Sequence, residues 1–250
     1  MKNLGKVFKE LRESRKISLR KATGDDFSAS LLSRFENGKS EISAQKLFVA
    51  LENIHANVEE LLFLARGFHQ DANSEFRNQL FKAVNPKDLT SLHTLYQREY
   101  QQIPFSKDKQ EHILNAILIK SYMKAIDETI TLTSEEERVL HDYLFSVEIW
   151  GLYELSFFSS CSPLLSVQLL TKYTREMLRK SDFLQGVGKK RNMMHTLLLN
   201  GFMTCIEADD FTNALYFKKQ IEKNFFEENE TYFRIVYLWA EGLLDSKQGR

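Results

Sequence analysis

The spacing of apolar residues is the feature that most restricts how this chain can fold. Along most of its length these residues recur at i, i+3, i+4 and i+7, the period of one helical face, as in Leu4, Val7, Phe8 and Leu11. Breaks in the pattern are rare, because 250 residues contain only 10 glycines and 3 prolines. A sheet-rich fold with many turns needs more of both. The sequence therefore predicts an all-α protein of one or two domains.

Charge is balanced over the whole chain but divided unevenly within it. Against 34 basic and 34 acidic residues in total, residues 1–46 hold eleven Lys or Arg and six Asp or Glu, a net charge of +5, which leaves −5 for the remainder. A basic head on an acidic body is typical of a protein that meets nucleic acid at one end. A solvated helix surface can carry the same charge, so the interpretation depends on motifs.

Capping signals divide residues 1–66 into five predicted helices. Ser18, Ser28 and Ser43 are candidate N-caps, because a serine hydroxyl can accept a hydrogen bond from a free amide of the first turn. Gly38 suits the left-handed position that ends a helix. The predicted helices cover LGKVFKELRESR, LRKATG, ASLLSRFENG, the segment that follows Ser43, and VEELLFLAR.

The third of these helices has two distinct faces on a helical wheel. Leu31, Leu32 and Phe35 form an apolar face. The opposite face carries small polar groups and one cation: Ser30, Ser33, Arg34 and Asn37. Small side chains let a helix backbone approach the floor of the major groove, and a guanidinium can bond to guanine O6 and N7 together. A merely solvated face is the alternative that this helix alone leaves open.

The surrounding run, ISLRKATGDDFSASLLSRFENGKSEIS, resembles the helix-turn-helix of Cro/repressor-type proteins. Its hallmark is a polar cap followed by Leu-Ser-Arg-aromatic-Glu-x-Gly-Lys, which here occupies residues 32–39. The resemblance implies that the helix after Ser28 is the recognition helix, while the helix from Leu19 crosses the DNA backbone. The turn between Thr23 and Ser28 is about one residue shorter than in similar repressors, which leaves the contacts of the second helix open.

This resemblance assigns a role to each polar residue of the motif. We expect Ser30, Ser33 and Arg34 to read bases. We expect the phosphate contacts to come from Arg20, Lys21, Ser28, Lys39 and Ser40, because flexible cations and helix N-termini position a protein without specifying sequence. Glu36 would be repelled by DNA. In similar repressors that acid pairs with an arginine of the first helix, which corresponds here to Arg12, so both are assigned to a structural ion pair.

The C-terminal part reads as successive helices joined by short breaks. The predicted segments are 72–84, 86–102, 107–127, 134–146, 147–159, 163–182, 188–207, 211–226 and 229–246. Pro86 and Pro163 are expected in first turns, where a missing amide costs little. Ser134 and Glu137 are expected to form a capping box.

Residues 190–224 are similar to a tetratricopeptide-type helix pair. Gly201 lies late in the first helix, and Phe211, Ala214, Leu215 and Phe217 take packing positions in the second. The resemblance implies a superhelical α-solenoid of such pairs, whose concave face binds a peptide or partner. We therefore assign residues 1–66 to a helix-turn-helix domain and residues 67–250 to a repeat domain.

The segment DYLFSVEIWGLYELSFFSS contains Trp-x-x-Tyr-Glu-Leu followed by a phenylalanine, at residues 150–158. This pattern resembles the Rgg/MutR family of Gram-positive regulators. The resemblance implies a Cro-type domain followed by helical repeats that dimerise and sense a short signalling peptide. Candidate peptide contacts are Trp150, Tyr153, Asn192, Asn200 and Tyr216, because amides can pair with a peptide backbone and rings can hold apolar side chains. Core packing or plain surface exposure remains the alternative for each.

The sequence lacks the motifs that would indicate other functional classes. The six histidines have neither HExxH nor i, i+4 spacing, and GxGxxG, P-loop and GxSxG patterns are absent, so we expect no metal, no cofactor and no enzymatic activity. Cys161 and Cys205 have no CxxC spacing and are expected as reduced core residues. No apolar run reaches the ~18 residues of a membrane span and no signal peptide is visible, which predicts a cytoplasmic protein without a membrane partner.

Two hypotheses follow. In the first, a homodimeric regulator binds double-stranded DNA at half-sites about 10 base pairs apart, and a peptide bound in its repeats changes promoter output. In the second, the same DNA-binding domain is joined to repeats that bind a protein partner or respond to a physical cue such as pH acting on histidines.

Overall fold

The computed structural model describes residues 3–67, 72–180, 188–223 and 226–249, and these residues form helices and no β-strand. The all-α prediction is confirmed. The chain divides into two compact units, residues 1–79 and 80–250. The division falls inside a helix, whereas the sequence places the domain boundary after residue 66. Over the described residues, no helix is both long and apolar enough to span a bilayer.

The first unit contains the five predicted helices. They are α1 (Leu4–Ser14), α2 (Leu19–Thr23), α3 (Ala29–Glu36), α4 (Ala44–Asn53) and α5 (Val58–Ala65). The hydroxyls of Ser18, Ser28 and Ser43 accept hydrogen bonds from amides three residues further on, as predicted. Gly38 follows α3 with φ of 69°, the left-handed conformation expected of it.

A single apolar core joins these five helices. Helix α1 packs against α3 and α5, while α2 packs against α3 and α4. Their fully buried members include Phe8, Leu32, Ile54 and Leu61. The side-chain amide of Asn53 donates to the carbonyl of Ala22 at 3.1 Å and so fastens α4 to the end of α2.

Gly5 lets two of these helices meet backbone to backbone. A Cβ atom at this position would overlap the carbonyl oxygen of Phe35, in the last turn of α3. A backbone carbonyl cannot rotate away as a side chain can, so only glycine permits this approach. The contact holds the end of α3 against the start of α1, and the sequence analysis did not identify it.

The second unit begins within α6, and nine helices from α6 onward lie among the described residues. They are α6 (Ala72–Val84), α7 (Leu89–Gln102), α8 (Lys109–Lys124), α9 (Ser134–Ser146), α10 (Leu152–Cys161), α11 (Val167–Lys180), α12 (Gly188–Glu207), α13 (Phe211–Lys223) and α14 (Thr231–Lys247). Helix α8 contacts α7, α9 and α10, and α12 contacts α10, α11, α13 and α14. These two helices therefore form the centre of the unit.

Helices α12 and α13 form the pair predicted from the tetratricopeptide resemblance. A Cβ atom at Gly201 of α12 would overlap the ring of Phe217, which is fully buried on α13. The small residue thus allows the close approach that the sequence predicts. Cys161 and Cys205 are free and buried, also as predicted, and burial raises the pKa of Cys205 to about 11.

Three predicted helix starts are wrong. Helix α7 begins at Leu89 rather than Pro86, because the carboxylate of Asp88 accepts a hydrogen bond from the amide of Ser91 and caps the helix there. Pro163 lies in a separate 3-10 turn, and α11 begins only at Val167. Helix α10 begins at Leu152 rather than at residue 147.

The start of α9 also differs in detail from the prediction. Its capping box is formed by Thr133 and Glu136, one residue before the expected Ser134 and Glu137. Glu136 accepts a hydrogen bond from the Thr133 amide at 2.7 Å, and the Thr133 hydroxyl accepts one from the Glu136 amide at 3.3 Å. The pairs Thr133/Glu136 and Ser134/Glu137 have the same spacing. The difference is that Glu136 also accepts hydrogen bonds from side chains of other helices.

Those partners make Glu136 the centre of a buried polar network. Its side chain is completely buried and accepts hydrogen bonds from Lys120 at 2.6 Å, Tyr96 at 2.9 Å and Tyr100 at 3.0 Å. Burial alone would raise the pKa of Glu136, but the bonds from Lys120 and the Thr133 amide outweigh it and hold the pKa below its ordinary value. Helices α7, α8 and α9 are joined through this one carboxylate.

Candidate nucleic-acid interface and ligand cavity

Helix α3 turns its polar face to solvent. Ser28, Ser30 and Arg34 are exposed, Ser33 is half-buried, and Leu32 is fully buried on the opposite side. The first unit, as described, offers the guanidinium of Arg34 no hydrogen-bond partner. An exposed cation among small hydroxyl side chains on one helix face is the arrangement that enters a major groove.

Residues around α3 place further positive charge beside this face. Arg20 and Lys21 are exposed on α2, and Lys39 is exposed just after α3. The Ser28 hydroxyl accepts from the Leu31 amide at 3.2 Å, which leaves its own proton free to donate. Ser40 differs from the others, because its hydroxyl oxygen is buried without a hydrogen-bond partner and so is not presented to a phosphate in this conformation.

Arg12 and Glu36 are in direct contact. The Nε atom of Arg12 donates to Oε1 of Glu36 at 2.6 Å, and Nη2 donates to Oε2 at 2.7 Å. The third donor, Nη1, reaches the carbonyl of Ile17 at 2.7 Å. Both side chains are buried, with 7% and 2% of their surface exposed. The hydrogen bond to Glu36 raises the pKa of Arg12, and the pair ties α1 to the last turn of α3.

The second unit has a cavity of about 630 Å³ between the end of α8, the turn after α10 and the C-terminal half of α12. Its polar lining comes from Lys124, Glu128, Ser162, Asn200, Thr204 and Glu207. Pro163, Leu165 and Met203 supply apolar walls. The volume lies within the range of small-molecule and peptide pockets, and the mixture of apolar walls with a few convergent polar groups is typical of them.

Of the five predicted peptide contacts, the structure brings Asn200 into this cavity. Asn192 is exposed two turns earlier on α12, Tyr153 stacks on Phe157 with ring centroids 6.3 Å apart, and Tyr216 lies under the guanidinium of Arg175. None of these three lines the cavity. These three residues lie outside the cavity at different places on the second unit, and their role as peptide contacts stays a prediction.

Trp150 is a core residue, which is the alternative to peptide contact that the sequence left open. Its side chain is completely buried, and its ring packs against Phe158 with centroids 5.4 Å apart. A fully buried ring cannot hold a ligand on a concave surface, so Trp150 is not among the contacts that we propose. The tryptophan of the Trp-x-x-Tyr-Glu-Leu pattern therefore packs against α10 and is part of the core.

Sequence reasoning missed the other residues that line the cavity. One signal was present, since Asn200, Thr204 and Glu207 are spaced i, i+4 and i+7 and form a polar stripe on the otherwise largely apolar C-terminal half of α12. Lys124 and Glu128 had no such signal. They lie about 75 residues earlier in the chain, and packing of α8 near α12 brings them to the site.

Among the histidines that the structure describes, His195 is the buried one, with 3% of its surface exposed. It is buried between the rings of Phe226 and Phe233, and its Nε2 atom lies 3.6 Å from a carboxylate oxygen of Glu230. Burial lowers the pKa of His195, and the nearby Glu230 only partly offsets that effect. In the part of the chain that the structure describes, no three His, Cys, Asp or Glu side chains are grouped to hold a metal ion.

Residues 93–250 match the family model described as HTH-type transcriptional regulator Rgg, C-terminal domain. The chain belongs to the Rgg family. The resemblance seen in the Trp-x-x-Tyr-Glu-Leu segment is thus confirmed, and the chain is a transcriptional regulator of this type. The Rgg match covers the second unit except residues 80–92, which are the end of α6, the turn after it and the first residues of α7.

Solved structures extend the Rgg likeness to nearly the full chain. The Streptococcus dysgalactiae SHP pheromone receptor Rgg2 is 26% identical with a TM-score of 0.79, over 99% of this chain and 87% of that chain. A putative transcriptional regulator from Listeria monocytogenes EGD-e has a TM-score of 0.77 at 18% identity, over 99% and 85% of the two chains. The PrgX/cCF10 complex has a TM-score of 0.70 at 15% identity, over 98% and 80%. The last two likenesses are evidence of fold.

Proposed function

We propose that this Rgg-family regulator binds operator DNA as a homodimer through α3, and that a short signalling peptide bound in its helical repeats changes its output. The likeness to an SHP pheromone receptor over 99% of the chain carries the peptide part of this proposal. The solvent-facing polar side of α3 supports the DNA part. Two recognition helices would address half-sites about 34–36 Å apart, or multiples of that distance.

In this proposal, some polar side chains of the first unit read bases and others position the domain on the DNA phosphates. Arg34 can donate two hydrogen bonds to guanine O6 and N7, while Ser30 and Ser33 are small enough for close approach of the helix backbone. Lys39, with Arg20 and Lys21, lies where flexible cations can reach phosphates. Buried between the helices, the Arg12–Glu36 pair holds α3 in place.

Replacing Arg34 by alanine is expected to weaken binding to the operator by about 5- to 150-fold, which corresponds to the loss of one bidentate base contact. Binding to scrambled DNA is expected to change far less. Fluorescence anisotropy measures both, with an operator selected from a random DNA pool. Lys39→Ala is the matched control and should weaken operator and scrambled DNA alike while reducing the salt slope by about one. An unchanged operator-to-scrambled ratio in Arg34→Ala would exclude a base-reading role.

The cavity offers a peptide three kinds of contact. The side-chain amide of Asn200 can bond to a peptide N–H or carbonyl, and Lys124 can attract a carboxylate. Glu128 and Glu207 can attract an ammonium group, while apolar walls receive apolar side chains. A ligand that contacts α8, the turn after α10 and α12 together can bias how α8 and α12 pack, if its affinity differs between their arrangements.

Asn200→Ala is therefore expected to weaken peptide binding about fivefold, the effect of one lost hydrogen bond of about 1 kcal/mol. Isothermal titration with the synthetic peptide encoded by a short reading frame beside the gene gives the affinity. Asn192→Ala removes the same side chain from the same helix outside the cavity and should bind like the parent protein. The opposite pattern, with Asn192→Ala weakened and Asn200→Ala unchanged, would move the peptide site away from the cavity.

A further inference from the structure

The cavity of the second unit lies where three helices end. Its lining comes from the last residue of α8 and the turn after it, from the turn that follows α10, and from residues 200–207, the end of α12. The carbonyl groups of a helix point toward its C-terminus, so this end carries a partial negative charge and attracts cations. Three such ends around one cavity favour a positively charged group inside it.

The start of α11 does little to offset these three helix ends. Helix α11 begins two residues after Leu165, but none of its own residues belongs to the lining. Its first turn is also capped within the chain, because the hydroxyl of Ser166 accepts a hydrogen bond from the amide of Leu169 at 3.4 Å. The backbone that surrounds the cavity therefore acts on a ligand mainly through carbonyl ends.

A lysine of the protein already binds at one of these helix ends. The Nζ atom of Lys247 donates to the backbone carbonyl of Glu207, the last residue of α12, at 3.2 Å, and to the carboxylate of Asp209 at 2.7 Å. This ammonium group thus has one carbonyl and one carboxylate partner, the two kinds of acceptor that the cavity also offers. The carboxylate of Glu207 takes no part in these bonds.

The side chains of the lining add to the same preference. Glu128 and Glu207 are exposed, and neither carboxylate has a hydrogen-bond or ion-pair partner within the part of the chain that the structure describes. Lys124 supplies the positive charge of the lining, which leaves an excess of one negative charge. The hydroxyl of the buried Ser162 donates to the carbonyl of Ser159 at 2.8 Å, so its oxygen is left to accept from a ligand.

We propose that the cavity receives a positively charged group of the signalling peptide, and that Glu128 and Glu207 bind it together. The inference rests on the proposed function, which takes this cavity as the peptide site, and it adds which part of the peptide enters. The cation is either the amino terminus of the peptide or the side chain of one of its lysines or arginines, and both present N–H donors to the same acceptors. The carboxyl terminus of the peptide stays outside the cavity.

Isothermal titration of the full chain with chemically altered peptides tests this inference. The parent peptide is the one encoded by the short reading frame beside the gene, and it is compared with three forms. The first is N-acetylated, the second has norleucine for lysine and citrulline for arginine, and the third is amidated at its carboxyl terminus. One of the first two is expected to bind about tenfold more weakly, the combined effect of two partly exposed ion pairs and the helix ends. The amidated form should bind like the parent peptide.

Glutamine variants of the protein show whether the lost contact is the one proposed. Glu128→Gln combined with Glu207→Gln should weaken the parent peptide by about the same factor and remove the difference between the charged and neutralised peptides, because the two changes delete the same interaction. Lys124→Gln should strengthen binding about twofold, since it removes a like charge. The control, Glu111→Gln combined with Glu148→Gln, neutralises two exposed carboxylates outside the cavity and should bind all peptides as the parent protein does.

The possible results separate this inference from the proposed function. Equal affinity of the parent protein for all four peptides would overturn the inference and leave peptide binding intact. The same holds for a loss on neutralisation that persists in the double glutamine variant, because the cation would then bind elsewhere. A loss caused by amidation and abolished by Lys124→Gln would show that the cavity takes a carboxylate instead. A parent peptide that does not bind at all would overturn the proposed function and this inference together.

Discussion

Replacing Glu36 by alanine is expected to destabilise the first unit by about 3–5 kcal/mol, the effect of leaving one member of a buried ion pair without its partner. Arg12 would keep its bond to the Ile17 carbonyl and a 3.3 Å contact with the exposed Glu13 carboxylate, but it would lose both bonds to Glu36, and only 7% of its surface is exposed to water. Its charge would therefore stay largely unsolvated. Since the pair joins α1 to the end of α3, the recognition helix would lose its support as well.

Urea unfolding followed by hydrogen exchange of peptides from the first unit measures this effect separately from the second unit. Glu36→Gln should lose less, because the amide oxygen still accepts one hydrogen bond from Arg12. Arg12→Met combined with Glu36→Leu should also be less destabilised than either single alanine variant, since no charge remains buried. Equal stability of Glu36→Ala and the parent protein would show that the pair does not support the fold.

Replacing Glu136 by alanine is expected to destabilise the second unit by a similar amount, about 3–5 kcal/mol. The change leaves the Lys120 ammonium with only its bond to the Thr131 carbonyl, at 3.0 Å, and takes an acceptor from Tyr96 and Tyr100. Partly satisfied buried networks are less favourable than either complete ones or apolar cores. Protection of α7, α8 and α9 from hydrogen exchange should fall together, because these helices share the carboxylate.

The same carboxylate gives the second unit a pH dependence of known sign. The pKa of Glu136 is lowered in the folded protein, so its stabilisation is complete above the ordinary pKa of 4.5 and is lost as pH falls through the lower folded value. Thermal melts between pH 7 and pH 3 should show this loss in the parent protein. Glu136→Gln cannot titrate and should show a smaller loss over that range. Parallel curves for the two proteins would contradict the assignment.

Local signals in the sequence were sufficient for most of the secondary structure. The 3.6-residue period and serine caps placed α1 to α5 correctly, because a cap and its amide partners lie within three residues of each other. The same period identified each helix from α6 to α14. The start of α7 was misplaced because a local cap at Asp88, three residues before Ser91, was overlooked. The capping box of α9 was misassigned because the pairs Thr133/Glu136 and Ser134/Glu137 have the same spacing, and contacts from other helices favour Glu136.

The candidate sites were predictable to different extents. The exposure of Arg34 and Ser30 could be predicted from one helix, because the two faces of α3 differ in polarity along a short run. Trp150 could not be separated from the core by its spacing, since a buried ring and a ligand-binding ring occupy similar helical positions. Lys124 was unpredictable because its partners in the cavity lie on α12, far along the chain.

The sequence by itself determined that this chain is all-helical, which helix carries Arg34 outward, and which family motif it contains. Those properties depend on residues within about one or two helical turns, and local periodicity records them. Tertiary structure alone decided the cavity around Asn200, the close approach at Gly5 and the network of Glu136. Each of these depends on how helices pack, and packing brings together residues whose separation along the chain leaves no local pattern.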